Sequence, residues 1–110
     1  MTNEDKTLLE MAAKAAGLTG YRYVTPDVEH RLLTDRGITV WNPLASDGDA
    51  LRLAVKLKID IHQRVAEPRV AAIAAMQSPK IESVADEKQR LAATRRAIVR
   101  AAAEIGKAQQ

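Results

Sequence analysis

Few side chains in this 110-residue chain could do acid–base or metal chemistry. His30 and His62 are the groups that titrate nearest neutral pH. Neither stands at a ligand spacing from another His, no HExxH is present and there is no Cys. Those absences exclude a thiol nucleophile, thiolate-bound zinc and disulfides, and leave no metal-ligand set. Ser46, Ser78 and Ser83 all fall at predicted caps or chain breaks, and none sits in a nucleophile elbow. The five glycines are spread singly, so no loop is built to cradle phosphate. Catalysis would require His30, His62 and Asp60 to converge from distant segments. The expectation is therefore a protein that is not an enzyme and needs no cofactor.

Three other features could support binding. Asp47-Gly48-Asp49 looks like the start of a calcium loop, but the twelfth position from Asp47 is Lys58 where a bidentate Glu is needed. Helix capping accounts for both carboxylates, because free N–H groups and the helix dipole attract anions there. Trp41 is the one Trp. It either anchors a partner protein or fills the core, and burial is the stronger reading. Arg95, Arg96, Arg100 and Lys107 form a basic row that could meet phosphates. However, Glu104 flanks the row, no aromatic is interleaved for stacking, and Asp86 and Glu87 precede it. A solvated face explains the row better than nucleic acid does.

The elements that must position these residues follow from hydrophobic period and punctuation. Leu8, Leu9, Met11, Ala12, Ala15 and Ala16 predict a helix over residues 4–16, stopped by Gly17. Residues 21–25, 30–34 and 38–41 read as short extended pieces. The last two form either a tight hairpin about residues 35–37 or one irregular strand. Pro43 holds Asn42 out of helical angles. Ser46 and Asp49 have capping-box spacing, with Asp47 as an alternative cap. Ala50, Leu51, Ala54 and Leu57, widened by Leu53 and Val55, then predict a helix over residues 47–57.

Period two in residues 58–65 places Ile59, Ile61 and Gln63 on one strand face, with Asp60, His62 and Arg64 on a wet one. Residues 70–76 form a second strand candidate, with helix as its rival. Ser83 and Asp86 repeat the cap spacing before a long helix over residues 85–107, where Leu91, Ile98 and Ile105 mark the apolar stripe. The expected class is α+β: a small antiparallel sheet covered by helices, in the order α-β-β-α-β-β-α, within a single domain spanning residues 1–110.

Composition bounds the rest. Aromatics are 3% of the chain, and Ala carries much of the apolar content, so close helix packing is favoured over stacking platforms. Net charge is +3, but it is polarised. Residues 1–51 carry five Lys and Arg against eight Asp and Glu, whereas residues 52–110 carry twelve against six. The acidic start is unlike a signal peptide, and no run reaches the roughly 20 apolar residues a bilayer requires. A cytoplasmic protein with no membrane partner is expected; the oligomeric state stays open.

Residues 41–61 (WNPLASDGDALRLAVKLKIDI) and 93–108 (ATRRAIVRAAAEIGKA), with residues 8–17 (LLEMAAKAAG), resemble small proteins encoded by tailed phages and prophages of Gram-negative bacteria. The resemblance implies an α/β/α sandwich and an accessory protein working in the bacterial cytoplasm. It brings no catalytic or binding residues with it. A partner that is a host or phage protein is the first expectation, and a nucleic acid the second.

Overall fold

The computed structural model describes residues 3–18, 21–22, 31–34, 37–74 and 77–109. Helix α1 (Asn3–Ala15) carries Glu4 and Asp5 in its first turn. It stops where the sequence places the stop. Gly17 takes φ +75°, its N–H donates to the Lys14 carbonyl, and the Leu18 N–H donates to the Ala13 carbonyl at 2.9 Å. Strands β1 (Tyr21–Arg22), β2 (Arg31–Thr34) and β3 (Gly37–Val40) form one antiparallel sheet in that order. Thr34 pairs with Gly37, so the hairpin alternative holds. Residues 23–25, 30, 35–36 and 75–76 lie outside the described residues.

Helix α2 (Asp47–Leu57) keeps the expected bounds. Asn42 and Pro43 make a turn in which the Asn42 carbonyl accepts the Ala45 and Ser46 N–H groups and the Asn42 side chain accepts the Leu44 N–H. Ser46 is the N-cap, its Oγ accepting the Asp49 N–H at 3.2 Å. The Asp49 carboxylate reaches back past the cap to the Asn42 N–H at 3.0 Å. At the far end, Lys58 takes φ 58°, and the Ile59 N–H donates to the Ala54 carbonyl. Gly normally fills this left-handed position; here it is Lys.

Strands β4 (Asp60–Arg64), β5 (Arg69–Ile73) and β6 (Lys80–Ser83) form a second antiparallel sheet in chain order. A 3-10 turn (Glu87–Gln89) capped by Asp86 leads into α3 (Arg90–Ala108). The α+β class stands, with three α-helices and antiparallel sheets among the described residues. The hairpin alternative makes all three early extended pieces strands and β6 is added to the later pair, so the order among the described residues is α-β-β-β-α-β-β-β-α. The sequence assigned Ser83 to a cap, but it ends β6. With Ile81 as the sole apolar residue of Lys80–Ser83, only pairing with β5 makes that segment a strand.

Helix α3 contacts α1, α2, β5 and β6. It therefore forms the middle layer, between the β4–β5–β6 sheet and α1. Ala97, Ile98, Val99, Ala101, Ala102, Ala103 and Gly106 are buried, a set that runs around the helix. The small residues matter most against α1, which buries Leu9, Ala12 and Ala13, with Ala16 buried just past its end. A Cβ on Gly106 would fall 2.0 Å from the Met11 carbonyl oxygen, so the two backbones touch there. Trp41, Leu53, Ala54, Ile59, Val70 and Ala72 complete one buried cluster.

Burial departs from the periodic expectation at three places. Leu51, Val55 and Leu91 continue apolar stripes, yet they are 59%, 62% and 62% exposed. Periodicity fixes which residues share a face, but a neighbouring element must cover that face. No described element covers this one.

Candidate functional site

The structure scatters the sequence-predicted site residues. Trp41 is 8% exposed and belongs to the core, so it forms part of the body and offers no exposed anchor. The three arginines of the basic row each meet an acid on another element, whereas Lys107 stays exposed. Arg95 donates to the Asp47 carboxylate at 2.6 Å and to the Leu44 carbonyl at 2.8 Å, tying α3 to α2 and its entry turn. Arg96 donates to Asp5 at 2.7 Å, tying α3 to α1, with Glu4 at 3.4 Å. Hydrogen bonding to Asp5 pushes the Arg96 guanidinium above its ordinary range. Arg100 donates to the Ile81 carbonyl at 3.0 Å and to Glu82, tying α3 to β6. Lys107 stands 4.0 Å from Glu104 on its own helix.

The solvated face expected at Arg96 and Arg100 is thus a set of ties. Its physical reason is position: α3 is surrounded, so its long cationic side chains reach acids on the elements around it. The four residues form no common phosphate-facing stripe. Asp47 and Asp49 are likewise engaged, the latter also with Arg52 at 2.7 Å. Among the described residues, no three His, Asp or Glu side chains gather where they could hold a metal ion. Of the trio that catalysis would need, Asp60 and His62 are both exposed on β4, and His30 lies outside the described residues.

Besides a shallow hollow of about 340 Å³ lined by Asn3, Glu4, Thr7, Leu8, Met11 and Lys107, two concave surfaces bear on binding among the described residues. The first, about 190 Å³, lies between α2 and α3, with Leu51 and Leu91 among its lining and Ile98 and Ile61 beneath. The second, about 220 Å³, lies on the β4–β5–β6 face turned away from α3. The strand register builds the second surface row by row. Asp60 pairs with Ile73, His62 with Ala71 and then Ile81, and Arg64 with Arg69 and then Ser83. Residues two apart on a strand share a face, so these rows stand about 6.8 Å apart. Along this outer face, His62, Arg64, Arg69, Ala71, Ile73 and Ile81 line the hollow, with Pro79 beside them.

The inner face is built differently. Ile61, Val70 and Ala72 turn to the core; the Gln63 side chain donates to Thr94 at 3.1 Å; Lys80 and Glu82 meet Glu104 and Arg100. Sequence period two had already placed His62 and Arg64 on a wet face. It could not place Arg69, Ile73 and Ile81 beside them, because that requires the pairing register. No family model matches this chain, and neither the curated proteins nor the solved structures give a match.

Proposed function

We propose that this chain is a non-enzymatic accessory protein of the tailed-phage kind, working in the bacterial cytoplasm by binding a host or phage protein through the outer face of the β4–β5–β6 sheet. The observation that carries this reading is the character of that face. Ile81 is 47% exposed on the edge strand β6, and Ala71, Ile73 and Pro79 extend an apolar floor beside it. A merely solvated face of an antiparallel sheet is ordinarily polar. The phage and cytoplasmic parts rest on the sequence resemblance. Among the described residues, no helix is long and apolar enough to cross a membrane.

Nucleic acid has weaker support as a partner, since Arg95, Arg96 and Arg100 already hold acids within the fold. Site-specific photocrosslinking tests the proposal. A benzophenone amino acid is placed at Ile81 and, as a control, at the exposed Glu10 of α1. Irradiation in bacterial cells should give one identified adduct from position 81 that excess unlabelled protein competes away. Equal adducts from both positions, or none from position 81, would refute the reading.

A further inference from the structure

Arg64 and Arg69 are direct partners in the β4–β5 register and line the same hollow. Side chains so paired stand about 4.5–5.5 Å apart at Cβ, where like charges are destabilising. Glu67 neutralises Arg69. The Arg64 guanidinium has no acid among the described residues; only its backbone carbonyl is engaged, by Arg90. This contrasts with α3, where Arg90, Arg95, Arg96 and Arg100 each hold a carboxylate. An Arg64 guanidinium left without an acid on a surface hollow, directly opposite a second arginine, departs from the charge matching of the α3 arginines. Such departures are expected where a ligand supplies the missing partner.

The rows beside the pair define the rest of that ligand. One row along are His62, Ala71 and Ile81; one further are Ile73 and Pro79. Thus the hollow is cationic at one end and has an apolar floor beyond it, with His62 beside the floor, Asp60 next to Ile73 at the far row outside the lining, and no Phe, Tyr or Trp in its lining. A phosphodiester chain would meet the charge but would find neither a stacking platform nor a use for the apolar floor. An extended peptide matches both. Its alternate side chains recur at the spacing of the rows, so a carboxylate and an apolar group two or four positions later fall on the two ends together.

We infer that this face grips an acidic–apolar extended segment of a partner protein. Arg64 and Arg69 hold its Asp or Glu, and the apolar side chain that follows rests on Ala71, Ile73, Pro79 and Ile81. Guanidinium forks suit a carboxylate because they can donate two parallel hydrogen bonds to it. The inference rests on the sheet face being the binding surface.

Its test is an NMR titration of the full isotope-labelled chain with three probes. These are the capped pentapeptide Glu-Thr-Ile-Thr-Val, the same peptide with Lys first, and a thymidine decanucleotide. The acidic peptide should shift the amide signals of β4, β5 and β6 saturably, and the lysine peptide should not. Arg64→Ala should weaken binding roughly tenfold, the effect of a lost charged hydrogen bond. Arg64→Lys should retain more affinity than Arg64→Ala, and Arg64→Glu should favour the lysine peptide. The Arg64→Ala protein should melt within a few degrees of the parent, because the Arg64 guanidinium holds no acid among the described residues. No saturable shift up to about 1 mM peptide, equal response to both peptides, or tighter binding of the oligonucleotide would overturn the inference. If position 81 crosslinks while the peptide fails, only the peptide chemistry falls; if both fail, the binding surface falls too.

Discussion

Gly106→Ala should destabilise this protein, although helix propensity alone predicts the reverse. Replacing Gly by Ala within a helix ordinarily gains up to about 1 kcal/mol. Here the new methyl would sit 2.0 Å from the Met11 carbonyl oxygen and 2.8 Å from its carbon. Carbon–oxygen contacts settle near 3.3 Å, so α1 and α3 must separate by about 1 Å along their contact. The atoms in the way are backbone, and no rotamer change relieves them. Overpacking of this kind costs about 1–3 kcal/mol, sometimes more. The separation would also loosen the contacts of Leu9, Ala12, Ala13 and Ala102, all within 2% of full burial. A net loss of about 2 kcal/mol is expected, or a fall in melting temperature of about 8 °C for a chain of this size.

Gly48→Ala is the matched control. Its methyl would meet only the Arg52 guanidinium, at 3.2 Å, a group at the end of a flexible side chain. Stability should rise by about 0.5 kcal/mol. Circular dichroism melts and urea titrations of the two variants provide the comparison. A Gly106→Ala protein as stable as the parent, or two glycine variants shifting in the same direction, would refute the close helix contact on which the middle layer depends.

Three further outcomes are expected. Lys58→Gly should raise the urea midpoint by an amount worth about 0.5–1 kcal/mol at unchanged slope, because Lys58 holds φ 58° in a region costing a side chain about 1–2 kcal/mol; a lower midpoint would contradict that backbone. Asp49→Ala should cost about 1–2 kcal/mol by leaving the Asn42 N–H without its acceptor. Asp49→Asn should recover much of that loss in the same melts, and equal losses would sink the argument. Hydrogen bonding from Arg90 lowers the Glu87 carboxyl below its usual 4.5. A lowered folded-state value means that this pair helps stability above the ordinary Glu range and ceases to as pH falls through the lowered value. NMR titration should therefore place the Glu87 midpoint below that of a free Glu, and Arg90→Ala should return it.

Some of this molecule is written locally. The turn at Asn42-Pro43, the Ser46 cap, the span of α2 and the Gly17 stop each depend on residues within a few positions of one another, so a reading of the chain finds them. The alternation of Ile61 and Gln63 with His62 and Arg64 is local in the same way. Periodicity then misleads at Leu51, Val55 and Leu91. A stripe is a property of one helix, whereas its burial needs a second element against it. The strand at Lys80–Ser83 is not legible in the sequence for a related reason, since its pairing partner defines it.

Residue type and short-range backbone preference are enough to dictate the α+β class, the chain punctuation and the absence of thiol chemistry. That Arg96 meets Asp5 across 91 positions, that Gly106 is where α3 touches α1, and that Arg64 stands opposite Arg69 is set by the folded packing. Those facts depend on which distant segments are brought together, and the energies that bring them together act between surfaces, not along the chain.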